Sequence, residues 1–429
     1  MSAFSKLPSG ASIALKPFRV SIPEEELDEF QALLKLSKIA PPTFENSRPS
    51  GQYGITSDWL TTLRKQWQKD FDWRACEAKA NLFPQFTVDI EDIKLKFAAL
   101  YSKKPDAVPI TLIHGWPGSY TEFLPMLQLF SEEFTPITLP YHLIVPSLPG
   151  CAFSWGPPLD RDFTSEDSAR ILDKLMQALG LVGAILHRVA ILVPGCLGSW
   201  SLTMLVAKLP IISCSTSIST PLEIPTAVNF CPSMEPPEGA ADTTLTDQEK
   251  RGRRADERLP HFRQNLCIRA RNQTQHHWAR SVQQPNCLAC LVPTLTYYKD
   301  HTMSHNDHRC GKNFLDWVND SLPLDTILEF VSLYWFTKSF PRAIYPYREA
   351  PHDADAMHDR LYIQKPLGFS YFPNEIIPAP KAWVSTTGNL VFWRQHDKGG
   401  HFAALERPHD LKAALSAFVE QVWPEVASK

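Results

Sequence analysis

The spacing of apolar residues predicts two amphipathic helices near the start of the chain. Leu27, Phe30 and Leu34 recur at helical intervals after Pro23, and proline favours the first turn of a helix. A second stripe begins at Ser57 or Asp58 and comprises Leu60, Leu63, Trp67 and Phe71. The first hundred residues are therefore expected to be helical and irregular. Their many prolines and aromatic residues indicate a segment that wraps another domain.

From about residue 108 the pattern changes to short apolar runs that alternate with helical stretches. The runs predicted to be strands are Ile110 to Ile113, Leu143 to Val145, Val189 to Val193, Trp383–Val384 and Leu390–Phe392. The predicted helices are Ser165 to Leu179, which Gly180 is placed to end, and Leu411 to Val422. This alternation indicates an α/β fold with a mostly parallel sheet flanked by helices. The interval from about 225 to 355 does not alternate and indicates an insertion.

Composition and charge exclude several classes of function. The chain has 429 residues, of which 44% are hydrophobic and 21% charged, as in ordinary globular proteins. A net charge of −3 argues against nucleic acid or an anionic membrane as a partner. No apolar run approaches the ~20 residues that span a bilayer, and the opening residues lack a signal-peptide pattern. Nine irregularly spaced cysteines predict free thiols, so a cytoplasmic location is expected.

The most informative stretch is Gly195-Cys196-Leu197-Gly198, which follows the predicted strand Val189 to Val193. A nucleophile flanked by small residues is typical of the tight strand-to-helix turn called a nucleophile elbow. The helix N-terminus that follows such a turn would favour a thiolate at Cys196. An isolated cysteine in a glycine-flanked turn is more often a buried core residue, so the interpretation depends on its partners.

The segment from His114 to Ser119, HGWPGS, follows another predicted strand. In folds with a nucleophile elbow, this position supplies one backbone N–H to the oxyanion hole, and the residue after the nucleophile supplies the second. The expected donors are therefore Trp116 and Leu197. His114 itself is expected to order the loop rather than transfer protons.

A candidate general base lies near the C-terminus, where His401 follows Gly399-Gly400 in a loop after the last predicted strand. His401 comes after the candidate nucleophile and acid in the chain, which is the order found in folds with a nucleophile elbow. The candidate acid is Glu375, which precedes His401 by 26 residues. Asp397 is a weaker candidate because it lies on the same loop as His401.

Together these motifs resemble the microsomal-type epoxide hydrolases, which have an α/β-hydrolase fold and an N-terminal wrapping domain. The matching stretches are Pro17-Phe18, Tyr53-Gly54, Trp59-Leu60, His114 to Ser119, Pro146 to Gly150, Gly195 to Ser199, Tyr334-Trp335, Tyr345 to Glu349, Glu375 and Gly399 to Ala404. The resemblance implies a wrapping domain over 1–105, a core formed by 106–225 and 355–429, and a helical lid over 226–354. It also implies that Tyr347 is one of two lid tyrosines that polarise an epoxide oxygen.

Cys196 occupies the place of the family's nucleophilic aspartate. A thiolate that opens an epoxide would leave a thioether without a carbonyl for water to attack, whereas Cys, His and acid together suit acyl transfer. The chain is also similar to trans-acting polyketide cyclases that have an epoxide-hydrolase-like fold. The expected function is therefore release of an acyl chain from a carrier-protein thioester, or from a small acyl substrate, by lactone formation or hydrolysis. The alternatives are epoxide hydrolysis and an inactive family member. No cofactor is expected.

Residues 253–310 depart from the family pattern and contain no helical or strand period. Shifting the reading frame by one base over 253–291 can restore family-like sequence, and Val292 to about Cys310 reads as a retained intron. We therefore interpret 253–310 as out-of-frame or intron-derived sequence. A rival interpretation is a zinc site formed by four residues, Cys287, Cys290, His305 and His308.

Overall fold

The computed structural model describes residues 3–44, 46–48, 56–115, 118–181, 189–192, 226–227, 322–343, 345–346, 363–374, 380–385, 388–400 and 402–427. Its strands are β1 Lys16–Pro17, β2 Gln85–Ile90, β3 Ile93–Leu100, β4 Val108–Ile113, β5 Tyr141–Pro146, β6 Val189–Leu192, β7 Thr226–Ala227, β8 Ile363–Tyr371 and β9 Gly388–Gln395. Its helices are α1 Glu24–Leu36, α2 Ser57–Lys69, α3 Trp73–Ala80, α4 Leu124–Glu133, α5 Ser165–Ala178, α6 Leu324–Phe336, α7 Ser339–Ala343, α8 Lys381–Val384, α9 Ala403–Glu406 and α10 Pro408–Ala427. A 3-10 helix, Tyr120–Phe123, precedes α4.

A six-stranded sheet with the order β1-β2-β3-β5-β4-β6 forms the centre of the described fold. β5, β4 and β6 run parallel, while β1, β2 and β3 are added in antiparallel fashion at one side. The hairpin of β2 and β3 lies within the hundred residues predicted to be helical and irregular, so that prediction was incomplete. β3 is buried along nearly its whole length, which places it inside the main core.

The two helices predicted near the start of the chain are confirmed as α1 and α2. Phe30 of α1 and Trp67 of α2 are buried against each other, with ring centroids 5.2 Å apart. Both helices pack against α6, because Phe30 contacts Phe336 and the Trp67 indole Nε1–H donates to Ser332 Oγ at 2.9 Å. The N-terminal segment is thus joined to α6 by buried aromatic contacts and a buried hydrogen bond.

Local capping explains the bounds of α5. The side chain of Thr164 accepts from the backbone of Asp167, whose carboxylate in turn accepts from the Thr164 N–H. This reciprocal pair satisfies free donors at the helix start. At the other end Gly180 has φ +65°, a left-handed conformation that glycine adopts without strain. The predicted helix and its glycine stop are confirmed.

A second sheet has the order β7-β8-β9, with all neighbours parallel. The prediction of a strand at Trp383–Val384 was wrong, because these residues belong to α8. The Val384 N–H donates to the Pro380 carbonyl at 3.1 Å, so the proline begins a helical turn there. The closing helix α10 extends beyond the predicted range at both ends.

Within the described residues, no helix combines the length and the apolar character that crossing a bilayer requires.

Candidate active site

The strands β4 and β6, which precede two of the predicted motifs in the chain, end at the same edge of the sheet. They pair in parallel, and Ile113 at the end of β4 lies opposite Leu192 at the end of β6. In the chain, His114 directly follows β4, and Cys196 lies four residues after the end of β6. Ligand sites in open α/β sheets form at such carboxyl ends.

His114 fixes the start of the first loop. Its Nδ1 lies 2.8 Å from the carbonyl oxygen of Gly115, and its Nε2 accepts the Leu148 N–H at 3.1 Å. These two partners require a proton on Nδ1 and a free lone pair on Nε2, which is the neutral ring. Burial lowers the pKa of His114 to about 4, so the ring stays neutral near pH 7. His114 connects two loops, and both of its ring nitrogens are engaged in these contacts.

A second set of contacts fixes the end of the same loop. The Ser119 N–H donates to Glu122 Oε1 at 2.9 Å, and the Ser119 side chain accepts from the backbone of Thr121. From α6, the Tyr334 hydroxyl donates to the Gly118 carbonyl at 2.8 Å. The backbone on both sides of residues 116 and 117 is therefore held by buried side chains.

The loops after β8 and β9 meet in a short parallel bridge. Asn374 pairs with Gly400, and the Asn374 N–H donates to the carbonyl of Gly399 at 3.0 Å. Glycine is needed at both positions. Gly399 has φ +96°, and a Cβ on Gly400 would lie 2.3 Å from the Asn374 carbonyl oxygen. On the far side, the Phe402 N–H donates to Glu406 Oε1 at 2.9 Å.

This bridge lies directly beside two predicted catalytic residues in the chain. Glu375 follows Asn374, and His401 lies between Gly400 and Phe402. Asp397, the weaker candidate for the acid, is exposed to solvent.

All six residues predicted for the site lie outside the described residues: Cys196, Leu197, Trp116, Tyr347, Glu375 and His401. Their assignment stays a prediction. The alternative zinc ligands also lie outside, and no cluster of metal-ligating side chains occurs in the part of the chain that is described.

Sequence reasoning assigned no role to three buried groups near the first loop, namely Lys96, Glu122 and Tyr334. The Ser-x-x-Glu spacing of Ser119 and Glu122 is a capping-box signal that could have identified the glutamate. No local signal identifies Tyr334, which reaches the loop from 216 residues away. Lys96 is fully buried, and its Nζ lies over the ring of Tyr120.

Comparison with protein-family models defines the class to which this fold belongs. Residues 15–123 match the model described as the epoxide hydrolase N terminus, and residues 108–229 match the alpha/beta hydrolase fold. Together with the parallel β5-β4-β6 sheet, these matches confirm the predicted class. The protein is an α/β-hydrolase with an N-terminal segment of the epoxide hydrolase type.

Full-length relatives define the family more narrowly. A putative epoxide hydrolase of Dothistroma septosporum is 36% identical over 98% of this chain and 93% of its own length. Epoxide hydrolase 1 of Oryctolagus cuniculus is 25% identical over 95% of this chain and 89% of its own. The Aspergillus niger epoxide hydrolase structure is 45% identical, with a TM-score of 0.83, over 98% of this chain and 100% of that one. This chain belongs to the epoxide hydrolase family.

The predicted function, acyl transfer through Cys196 with lactone formation, is overturned by these findings. Relatives that match nearly the whole chain are epoxide hydrolases, and the resemblance to polyketide cyclases receives no support. The prediction rested on the chemistry of a single side chain at position 196. The family models matched at residues 15–123 and 108–229 agree with the epoxide hydrolase relatives.

Proposed function

We propose that this chain hydrates an epoxide to a vicinal diol, with water as the nucleophile, His401 as its general base and Glu375 as the residue that orients the base. The observation that carries the proposal is the similarity to epoxide hydrolases over 98% of the chain. The bridge between Asn374 and Gly400 supports the pairing of acid and base, because it joins the two loops one residue before each of them.

Direct attack by water follows from the residue at position 196. A thiolate of Cys196 would form a carbon–sulfur bond on opening the ring, and the thioether has no carbonyl at which water could release it. Turnover therefore requires that water itself attack the ring carbon. Cys196 as nucleophile remains a prediction with a distinct consequence, a stable adduct on the protein.

The reaction balances with the proposed residues. His401 takes one proton from the water, the water oxygen bonds to a ring carbon, and the C–O bond of the ring breaks. Tyr347 donates its hydroxyl proton to the leaving alkoxide, and the proton held by His401 restores the tyrosine through solvent. The water oxygen has two lone pairs, so one can accept a hydrogen bond from the N–H of Trp116 or Leu197, which would position the water while the other lone pair attacks the ring carbon.

The experiment that tests this function uses styrene oxide in ¹⁸O-labelled water with the full-length protein. Direct hydration predicts a diol that carries ¹⁸O from the first turnover, unchanged protein mass, and persistence of the activity in Cys196→Ala. His401→Gln is expected to lower kcat at least 100-fold. The exposed residue His409 provides the matched control, His409→Gln, which should leave kcat unchanged.

The same experiment distinguishes the two nucleophiles. An increase in protein mass by one epoxide, if it is absent in Cys196→Ala, would show that the thiolate and not water is the nucleophile. Cys196→Asp should instead turn over through an ester, which leaves ¹⁶O in the first diol and ¹⁸O in the aspartate. Failure of wild type and Cys196→Asp to give diol or adduct with any of a panel of epoxides would overturn the proposed function.

A further inference from the structure

The peptide unit between Gly118 and Ser119, in the loop that contains Trp116, has a hydrogen bond at each of its polar groups. The carbonyl of Gly118 accepts from the Tyr334 hydroxyl at 2.8 Å, and the N–H of Ser119 donates to Glu122 Oε1 at 2.9 Å. These two groups belong to the same planar peptide unit. Rotation of that unit would therefore break both hydrogen bonds at once.

The two side chains that bond to this peptide are buried. Tyr334 and Glu122 are each 1% exposed, so solvent cannot replace a hydrogen bond that either one loses. The Glu122 carboxyl also packs directly on the α-carbon of Gly118, where a Cβ would lie 1.5 Å from Oε1. The peptide is confined by shape as well as by its hydrogen bonds.

Tyr334 reaches this loop from a helix that the N-terminal segment fixes. Its helix α6 receives the hydrogen bond from Trp67 to Ser332 and an ion pair, at 3.4 Å, between Lys79 and Glu329. The hydrogen bond from Tyr334 to Gly118 therefore depends on the N-terminal segment, because that segment holds α6 in place. On the other side of the loop, the His114 ring holds Gly115.

We propose that Tyr334 and Glu122 are positioning residues that hold the backbone N–H of Trp116 in place for epoxide hydration. The inference rests on the proposed function and extends it to residues that touch no substrate. Hydrogen-bond donors assist catalysis when they are fixed before the reaction, and a displacement of about 1 Å can cost ~100-fold in rate. The peptide that Tyr334 and Glu122 fix lies two residues after Trp116 in the chain.

The two clamp residues make different demands on a substitution. The Tyr334 hydroxyl donates its hydrogen to the Gly118 carbonyl, so phenylalanine removes that donor. For Glu122 the required feature is the Oε1 acceptor, because Oε1 accepts the Ser119 N–H and no described residue bonds to Oε2. Glutamine keeps that acceptor and alanine removes it.

The test compares Tyr334→Phe with Tyr101→Phe in the full-length protein. Tyr101 is a matched control, since it is equally buried and its hydroxyl has no hydrogen-bond partner in the described part of the chain. Hydrogen–deuterium exchange of the peptide covering 114–123 should accelerate about 10-fold in Tyr334→Phe and stay at the wild-type rate in Tyr101→Phe. With styrene oxide, kcat should fall about 10-fold in Tyr334→Phe while KM stays within 2-fold.

Glu122 gives a second, independent arm. Glu122→Ala should accelerate the same exchange and lower kcat, and Glu122→Gln should recover most of both. Equal exchange rates in Tyr334→Phe and Tyr101→Phe would overturn the proposed positioning role. A rise in KM with kcat unchanged would also overturn it. If wild type hydrates no epoxide, the proposed function fails, while the exchange comparison still decides whether the loop is clamped.

Discussion

Asn374 and Gly400 form a parallel β-bridge that joins the loops after β8 and β9 at their ends. The pairing brings the two chains so close that a Cβ on Gly400 would meet the Asn374 carbonyl oxygen at 2.3 Å and its carbonyl carbon at 2.7 Å. The backbone rather than a side chain therefore sets the distance between these loops. Two predicted catalytic residues, Glu375 and His401, directly follow the bridged positions in the chain.

Gly400→Ala should separate these loops. The obstacle is backbone, which cannot move aside cheaply, so we expect a loss of about 1–3 kcal/mol in the free energy of unfolding. We also expect kcat for an epoxide to fall more than 10-fold. Urea denaturation and steady-state kinetics would measure the two effects.

Gly156→Ala is the control, because the atoms nearest to the added methyl belong to the side chain of Arg342 and not to backbone, at 3.1 Å and beyond. It should change stability by less than about 0.5 kcal/mol. Equal effects of the two substitutions would show that the bridge has no special role.

Lys96→Met should stabilise the protein. Lys96 is fully buried, its Nζ has no hydrogen-bond partner among the described residues, and burial holds its pKa well below the usual value. Removing an unsatisfied buried amine is expected to raise the free energy of unfolding by about 1–3 kcal/mol. Lys103→Met, at an exposed position, should have no measurable effect.

The stabilisation by Lys96→Met should also depend on pH. Below pH 10.5 the unfolded chain protonates this amine more readily than the folded protein does, so wild-type stability rises with pH through that window. The advantage of the methionine variant should therefore be largest at neutral pH and shrink towards pH 10. Thermal unfolding across this range would reveal it, and an advantage that grows with pH would contradict the assignment.

Glu122 should produce the opposite pH dependence. Burial raises its pKa to about 8 from an unfolded value of 4.5, so the folded protein binds more protons than the unfolded chain between these values. Wild-type stability should fall relative to Glu122→Gln as pH rises from 5 to 8, by at most about 1.4 kcal/mol per pH unit. A constant difference between the two proteins across this window would refute the assignment.

The hydrogen bond between Trp67 and Ser332 should contribute to the attachment of the N-terminal segment. Trp67→Phe leaves a buried hydroxyl without its donor, at an expected cost of about 1–3 kcal/mol. A double-mutant cycle with Ser332→Ala isolates the interaction, because the second substitution removes the stranded group. Additive effects of the two substitutions would indicate that the contact carries no coupling energy.

Local patterns determined much of the fold. The stripes of α1 and α2 and the glycine that ends α5 are properties of a few neighbouring residues. Period and capping act over about one helical turn, so they can be read directly from the sequence. The strand predicted at Trp383–Val384 was nevertheless wrong, because two apolar residues fit a strand as well as a helix. The hydrogen bond from Val384 to Pro380 makes this segment helical.

The sequence by itself also determined the motifs and their order along the chain, from HGWPGS to the glycine pair before His401. It did not determine the function. The chemistry of Cys196 favoured acyl transfer, whereas the similarity to a putative epoxide hydrolase over 98% of the chain contradicts that prediction. Only the tertiary structure placed Tyr334 on Gly118 and Asn374 against Gly400. These contacts join residues 216 and 26 positions apart, and no pattern among sequence neighbours encodes a distance that packing of the whole core decides.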